Sequence, residues 1–138
     1  EFTYFDGRDC SVTHIDFTQP YSQELRQQIL DAGRCADIPC LDGGVYAATQ
    51  GPRLDTAAEI NRLERDGADM VGMTGMPEAA LAKELGLNYA AIAVVVNHAA
   101  GRGSSRNGVH LETISAEAQP AMARVRNILE CVVDSDVD

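Results

Sequence analysis

The sequence has no run of about 18 consecutive apolar residues and so offers no transmembrane helix. Its start, Glu1-Phe2-Thr3-Tyr4-Phe5-Asp6, has neither a basic n-region nor an apolar h-region, so no signal peptide is expected there. An initiator Met is also missing, and the expectation is a processed chain or a piece of a longer polypeptide. No Cys-x-x-Cys pair occurs: Cys10, Cys35, Cys40 and Cys131 are dispersed, as are His14, His98 and His110, and that spacing does not suit a zinc site. Buried, reduced thiols are expected, with a Cys35–Cys40 disulfide permitted by the spacing but not required. Positive charge is scarce. With 11 Lys and Arg against 21 Asp and Glu, the net charge is −10, and Asp134, Asp136 and Asp138 form an acidic tail. A protein that engages nucleic acid through phosphates needs a basic face, and none is supplied.

What is present is enough apolar material for a core: 45% of 138 residues are hydrophobic, consistent with one domain, and no boundary, repeat or low-complexity segment interrupts it. A helix is expected near Gln23 to Gly33, with Leu25, Ile29 and Ala32 on one face. From residue 43 strand and helix patterns alternate, as in an α/β sheet. Gly43 to Thr49 is β-prone and ends at the Gly51-Pro52 turn. Thr56 and Glu59 form a capping box for a helix with Ala57, Ile60 and Leu63 inward and Gly67 at its C-terminal end. Met70 to Met73 is a second short strand, and Pro77 opens a helix with Leu81, Ala82 and Leu85 buried, Lys83 toward water and Gly86 at its end.

Tyr89 to Val96 is a largely apolar run that suits a central strand covered on both faces. Residues 101–112 read as a mobile loop rich in Gly, Ser and charge. The last helix places Ala118, Ala121, Met122, Val125, Ile128, Leu129 and Val132 on one side, with Pro120 in its first turn or at a kink.

Three turns follow apolar runs: Gln50 to Glu59, Gly72 to Glu78, and Asn97-His98-Ala99-Ala100-Gly101. Ligands in α/β sheets bind at the carboxyl ends of strands, so polar groups in these turns point to one composite site. Thr74 precedes a helix and suits an anion, or is an ordinary capping threonine. Asp55 suits ligand N–H groups, or the start of the next helix. Asn97 offers a donor and an acceptor to a heterocycle edge, or merely ends a strand. Leu54 and Met73 are core residues by type, Arg53 pairs with an anion or braces its turn, and His14 reads as structural. Chain order alone supports no Ser-His-Asp or Cys-His pairing.

The stretches Gln50-Gly51-Pro52-Arg53-Leu54-Asp55-Thr56-Ala57-Ala58-Glu59 and Gly67-Ala68-Asp69-Met70-Val71-Gly72-Met73-Thr74-Gly75-Met76-Pro77-Glu78, with the run ending in Asn97, resemble the trimeric purine nucleoside phosphorylase and methylthioadenosine phosphorylase family. The resemblance runs from Thr3 to Val133 but covers only the C-terminal half of a family member. It implies a mixed central sheet flanked by helices, incomplete at the N-terminus, with residues 1–138 forming the C-terminal portion of a single nucleoside phosphorylase domain. In that family phosphate attacks the anomeric carbon of a purine nucleoside and releases the base.

By resemblance, Thr74 contacts phosphate, Met73 packs under the ribose, and Gly72 belongs to the substrate-binding residues. Leu54 takes the place of the aromatic residue stacked on the base, and Asp55 that of a glutamate on the base edge. Asn97 is the catalytic amide, with His98 and Ala99 beside it in the substrate pocket. Ile114 or Ala116 replaces the histidine that meets the 5′-hydroxyl, which suits a 5′-methylthio group. His14 resembles a residue lent to a neighbouring subunit. Asparagine rather than aspartate at position 97 favours a 6-oxopurine, whose ring and O6 gain negative charge on leaving.

The expected activity is therefore purine salvage by phosphorolysis of a 5′-methylthio-6-oxopurine nucleoside. Inorganic phosphate is the co-substrate, no cofactor or metal is needed, the assembly is a homotrimer or hexamer, and the location is cytoplasmic. The family's N-terminal Gly-rich phosphate loop, Arg-His pair and central Gly-rich strand have no counterpart here, so the chain alone is not expected to turn over. The alternatives are a methylthioadenosine phosphorylase and a non-catalytic purine-binding fragment.

Overall fold

The computed structural model describes residues 2–5 and 11–135. Cys10, Asp136 and Asp138 therefore lie outside the described residues. Helix α1 spans Gln23–Cys35, and Ser22 caps it by accepting from the Leu25 N–H at 3.3 Å. Strand β1 is Tyr46–Ala48 and strand β2 is Met70–Gly72, joined through helix α2, Ala57–Arg65. The strands pair in parallel with Tyr46 opposite Met70, Ala47 opposite Val71 and Ala48 opposite Gly72. Because a parallel pair needs a crossover, α2 is the structural price of that register.

The α2 capping box forms as the sequence pattern predicts: the Thr56 hydroxyl accepts from the Glu59 N–H, and the Glu59 carboxylate accepts from the Thr56 N–H at 2.8 Å. Gly67, at φ +96°, leaves α2 in the left-handed region. Helix α3 is Glu78–Glu84 and α4 is Leu111–Ser135.

Several side chains differ from the helical-face expectations. α3 buries Ala79 and Ala82, while Leu85 is 56% exposed because it sits at the C-cap, past the face that meets the rest of the chain. Pro120 lies in the interior of α4 rather than in its first turn. Its missing N–H leaves the Ala116 carbonyl without a helical donor, but both residues are exposed, so water can take that place. On α4, Ala121 and Ile128 are buried as expected, whereas Met122 and Leu129 are each almost half exposed.

The segment from Tyr89 to Val96 is the main departure from the expected fold. No regular strand forms there, although exposure alternates residue by residue from Ala90 to Val96, the period expected of extended chain. The Tyr89 carbonyl accepts from the Ser22 N–H at 2.7 Å, which ties the start of the segment to α1. Beyond that point the segment runs between two open clefts, one of about 850 Å³ toward β2 and α2 and one of about 880 Å³ toward α1 and α4. A strand needs a ladder partner within about 5 Å, and these clefts separate the segment from both neighbours.

Residues 101–112 are better ordered than expected of a mobile loop. A 3₁₀ turn forms at Gly103–Ser105, Ser105 is buried, and the Gly101 N–H donates to the Ser105 carbonyl at 3.1 Å. Among the described residues the core is small: Ala32, Ile60, Ala79, Ala82, Ala121 and Ile128. No helix there is long and apolar enough to cross a membrane.

Candidate functional site

The parallel register sets Gly72 at the end of β2 beside the end of β1, and the turn that follows carries Thr74. Tyr46, the first residue of β1, crosses over this turn. The Thr74 N–H donates to the Tyr46 phenol oxygen at 3.2 Å, and the two hydroxyl oxygens lie 3.3 Å apart. Gly72 is required by this arrangement: a Cβ there would sit 2.0 Å from the Tyr46 hydroxyl oxygen and 2.8 Å from Cζ. Thr74 caps nothing, because Pro77 is the N-cap of α3 and makes no side-chain cap bond. Thr74 lines the 850 Å³ cleft.

Asp55 also resolves away from a helix role. Thr56 is the cap, and Asp55 Oδ2 instead accepts from the Thr49 hydroxyl at 3.2 Å. The Thr49 N–H donates to the Gly72 carbonyl at 2.8 Å, so Asp55 is two bonds from the end of β2. Arg53 braces its turn. It donates to the Leu54 carbonyl at 3.1 Å and forms a forked pair with Glu59 at 2.9 and 2.7 Å. That pair, helped by the Thr56 hydrogen bonds, holds the Glu59 carboxyl down at about 2, and it raises the Arg53 guanidinium above its ordinary value. Leu54 and Met73 are 43% and 37% exposed, so neither is core. Met73 lies over Gly51, where a Cβ would meet its sulfur at 2.6 Å.

Asn97 lines the same cleft as Thr74 and Gly72, together with His98 and Ala99. The Asn97 amide nitrogen donates to the His98 carbonyl at 2.6 Å, and one of its two N–H donors remains for another acceptor. His98 Nδ1 lies 3.1 Å from the Ser104 hydroxyl, and its ring fits over Gly103, where a Cβ would come within 2.5 Å. The 3₁₀ turn thus positions the loop that carries Asn97. The structure brings together Gly72, Thr74, Asn97, His98 and Ala99, with Asp55 linked through Thr49.

Five sequence-derived candidates fall elsewhere. Leu54 and Met73 stand on the exposed rim of the turns. Ile114 and Ala116 lie within α4, not before it, and line neither cleft, because α4 already begins at Leu111. His14 is exposed and also lies outside both clefts.

Several residues at the site escaped the sequence reading. Only 5% of the chain is aromatic, yet Tyr21, Tyr46 and Tyr89 all line this cleft, with the Tyr21 and Tyr89 rings stacked at 6.0 Å. Burial, then the charge of Glu78, raises the Tyr89 phenol above its ordinary value. Arg102 is the one Arg or Lys among the described residues lining the cleft, and it is spent on Asn61 at 2.7 Å and Glu64 at 2.5 Å. The signal for Tyr46 was indirect: a glycine at the end of β2, diagonal to it in the register, over which its ring lies. Among the described residues no cluster of three or more acidic, His or Cys groups could hold a metal ion.

The arrangement is thus a cleft at strand ends with a threonine hydroxyl paired to a tyrosine, a carboxamide and aromatic walls but little unpaired positive charge. It matches known proteins over nearly its whole length. A probable S-methyl-5′-thioinosine phosphorylase of Pseudomonas syringae pv. tomato is 48% identical over 135 residues, covering 98% of this chain and 54% of that protein. A probable 6-oxopurine nucleoside phosphorylase of Moorella thermoacetica is 41% identical, covering 91% of this chain and 53% of that protein. The chain therefore spans about half the length of the curated relatives it matches. The solved structure of methylthioadenosine phosphorylase from Schistosoma mansoni in complex with adenine superposes with a TM-score of 0.90 at 26% identity, covering 100% of this chain and 55% of that one. The strand-end cleft is thus a nucleoside phosphorylase fold in part. With the family model matching residues 1–134, the chain belongs to the phosphorylase superfamily.

Proposed function

We propose that the chain is the C-terminal portion of a single nucleoside phosphorylase domain that cleaves S-methyl-5′-thioinosine with inorganic phosphate. The observation that carries this reading is the convergence of Thr74 and Asn97 on one cleft beside Gly72. A phosphate oxygen attacks the anomeric carbon, the bond from that carbon to the base nitrogen breaks, and its electron pair moves into the purine. The Thr74 hydroxyl donates to the phosphate. The remaining Asn97 N–H donates to the purine edge as negative charge develops there. Asp55, held by Thr49, accepts from the ring N–H of a 6-oxopurine.

Leu54 and Met73 cover the base and ribose from the rim. Ile114 and Ala116 meet the 5′-methylthio group only if α4 closes over the cleft, and exposed His14 reaches the site of an adjoining subunit in a trimer or hexamer. The reaction needs no cofactor and serves purine salvage in the cytoplasm. The pairing of Arg102 with Glu64 supports a further point: the cationic part of the phosphate site is supplied from outside these residues.

Base binding tests the assignment. A complete domain carrying this chain as its C-terminal half should bind hypoxanthine more tightly than adenine by about tenfold, the value of one well-placed hydrogen bond. Equal or reversed affinities would leave the 6-oxopurine reading without support.

A further inference from the structure

The described cysteines are free thiols, Cys35 exposed and Cys40 and Cys131 half-buried rather than buried as expected, and none of them lines the site cleft. The loop after Asn97 does line it, and that loop is built as a unit. The Arg102 N–H donates to the Ala99 carbonyl at 3.0 Å, the Gly101 N–H to the Ser105 carbonyl at 3.1 Å and the Ser105 N–H to the Arg102 carbonyl at 2.8 Å. His98 Nδ1 lies 3.1 Å from the Ser104 hydroxyl, and the Asn97 amide donates to the His98 carbonyl at 2.6 Å. Residues 97–105 therefore form one stiff body, and what holds that body in place also holds the Asn97 amide.

The loop meets α2 along one face. Gly101, at φ +76°, lies against Ala57, where an added Cβ would come within 2.8 Å of the Ala57 Cβ. Further along the helix, Arg102 Nη2 donates to Asn61 Oδ1 at 2.7 Å and to Glu64 Oε2 at 2.5 Å, so both N–H groups of one guanidinium nitrogen grip α2. Residues 57, 61 and 64 have the i, i+4, i+7 spacing of a single helical face. The same helix starts from Thr56, and the residue before that cap is Asp55. Helix α2 is thus a common frame: Asp55 stands at its beginning, and its flank carries the Asn97 loop.

We propose that Arg102 is a positioning residue for the reaction assigned above: its clamp on Asn61 and Glu64 sets the spacing between Asn97 and Asp55 across the purine edge. The inference rests on the reading of those two residues as base contacts. With side chains 33% and 65% exposed, the Arg102–Glu64 pair adds little to stability. Its effect is geometric. A displacement of about 1 Å in a reacting site can cost about a hundredfold in rate, and the Asn97 N–H acts only where charge develops on the leaving purine.

The test compares complete domains that carry this chain as their C-terminal half, by phosphorolysis kinetics, binding of hypoxanthine and adenine, and urea unfolding. Arg102→Met keeps the apolar stem and removes the donors. It should lower kcat for S-methyl-5′-thioinosine about tenfold and bring the two base affinities toward equality. The KM for phosphate should stay within about twofold and the urea midpoint should hardly move, which separates positioning from loss of fold. Arg102→Lys, with a single point charge, should recover part of kcat. Glu64→Leu opens the same clamp from the α2 side and should reproduce the split, so it decides if Arg102→Met does not fold. Unchanged kcat and base preference in both variants overturn the proposal. A raised KM for phosphate at unchanged base preference also overturns it, since Arg102 would then be a phosphate ligand. A native domain that favours adenine, or binds neither base, removes the reading of Asn97 and Asp55 and the clamp's role with it. A native preference for hypoxanthine that both variants retain removes the clamp alone.

Discussion

Gly72→Ala is the sharpest perturbation that the cleft permits. The added methyl would lie 2.0 Å from the Tyr46 hydroxyl oxygen, 2.8 Å from Cζ and 3.2 Å from Cε2, so the tyrosine ring must swing away from the turn. Swinging breaks its contacts with the Thr74 N–H at 3.2 Å and with the Thr74 hydroxyl at 3.3 Å. Neutral hydrogen bonds of this kind contribute about 0.5–1.5 kcal/mol each. Overpacking in a rigid site costs about 1–3 kcal/mol, but a ring at a cleft wall can move, so the lower end applies. The expected total is a loss of about 2–4 kcal/mol, read from the urea midpoint of unfolding. Tyr46→Phe should lose about 1 kcal/mol, because only the hydroxyl contacts disappear. In the double variant the shorter ring relieves part of the clash, so the two losses should fall short of additive by at least about 0.5 kcal/mol. Additive losses, or a neutral Gly72→Ala, would refute the contact between Tyr46 and the β2 turn.

Thr56→Ala should cost about 1 kcal/mol in urea unfolding through loss of the α2 cap. The Glu59 carboxyl, followed by NMR, should titrate at about 2 instead of its ordinary 4.5. Because its folded pKa is depressed, its stabilising effect is complete above about 4.5 and fades as the pH falls through about 2. Glu59→Gln should therefore flatten the acid limb of the stability profile in that window, and an unchanged limb would count against the pair with Arg53. Thr74→Ala in a complete domain should raise the KM for phosphate roughly tenfold, the loss of one hydrogen bond to an anion, with the nucleoside KM little changed. Asn97→Asp should shift kcat/KM toward 6-amino nucleosides, and an unchanged ratio would remove Asn97 from base recognition.

Local signals carried much of the architecture. The Thr56–Glu59 capping box, the glycines ending α2 and α3, and the two short strands at 46–48 and 70–72 all follow from chemistry within a few residues. The segment at 89–96 did not, because a strand is defined by its partner, and apolar content says nothing about whether a partner lies within reach. The composite site was legible as three turns at strand ends, and Gly72, Thr74 and Asn97 do share one cleft. Tyr46 and Thr49 were hidden because their role is a cross-strand contact fixed by register. Ile114 and Ala116 were expected just before the last helix, but the glycine-rich stretch folds into a 3₁₀ turn and α4 already begins at Leu111.

The most direct measurement is phosphorolysis by a complete domain in which this chain replaces the C-terminal half of the Pseudomonas syringae relative. S-methyl-5′-thioinosine and methylthioadenosine should be offered side by side, with and without phosphate. The account predicts phosphate-dependent release of hypoxanthine from the first and at most slow release of adenine from the second. A folded domain that releases neither base, or that prefers methylthioadenosine, would contradict it.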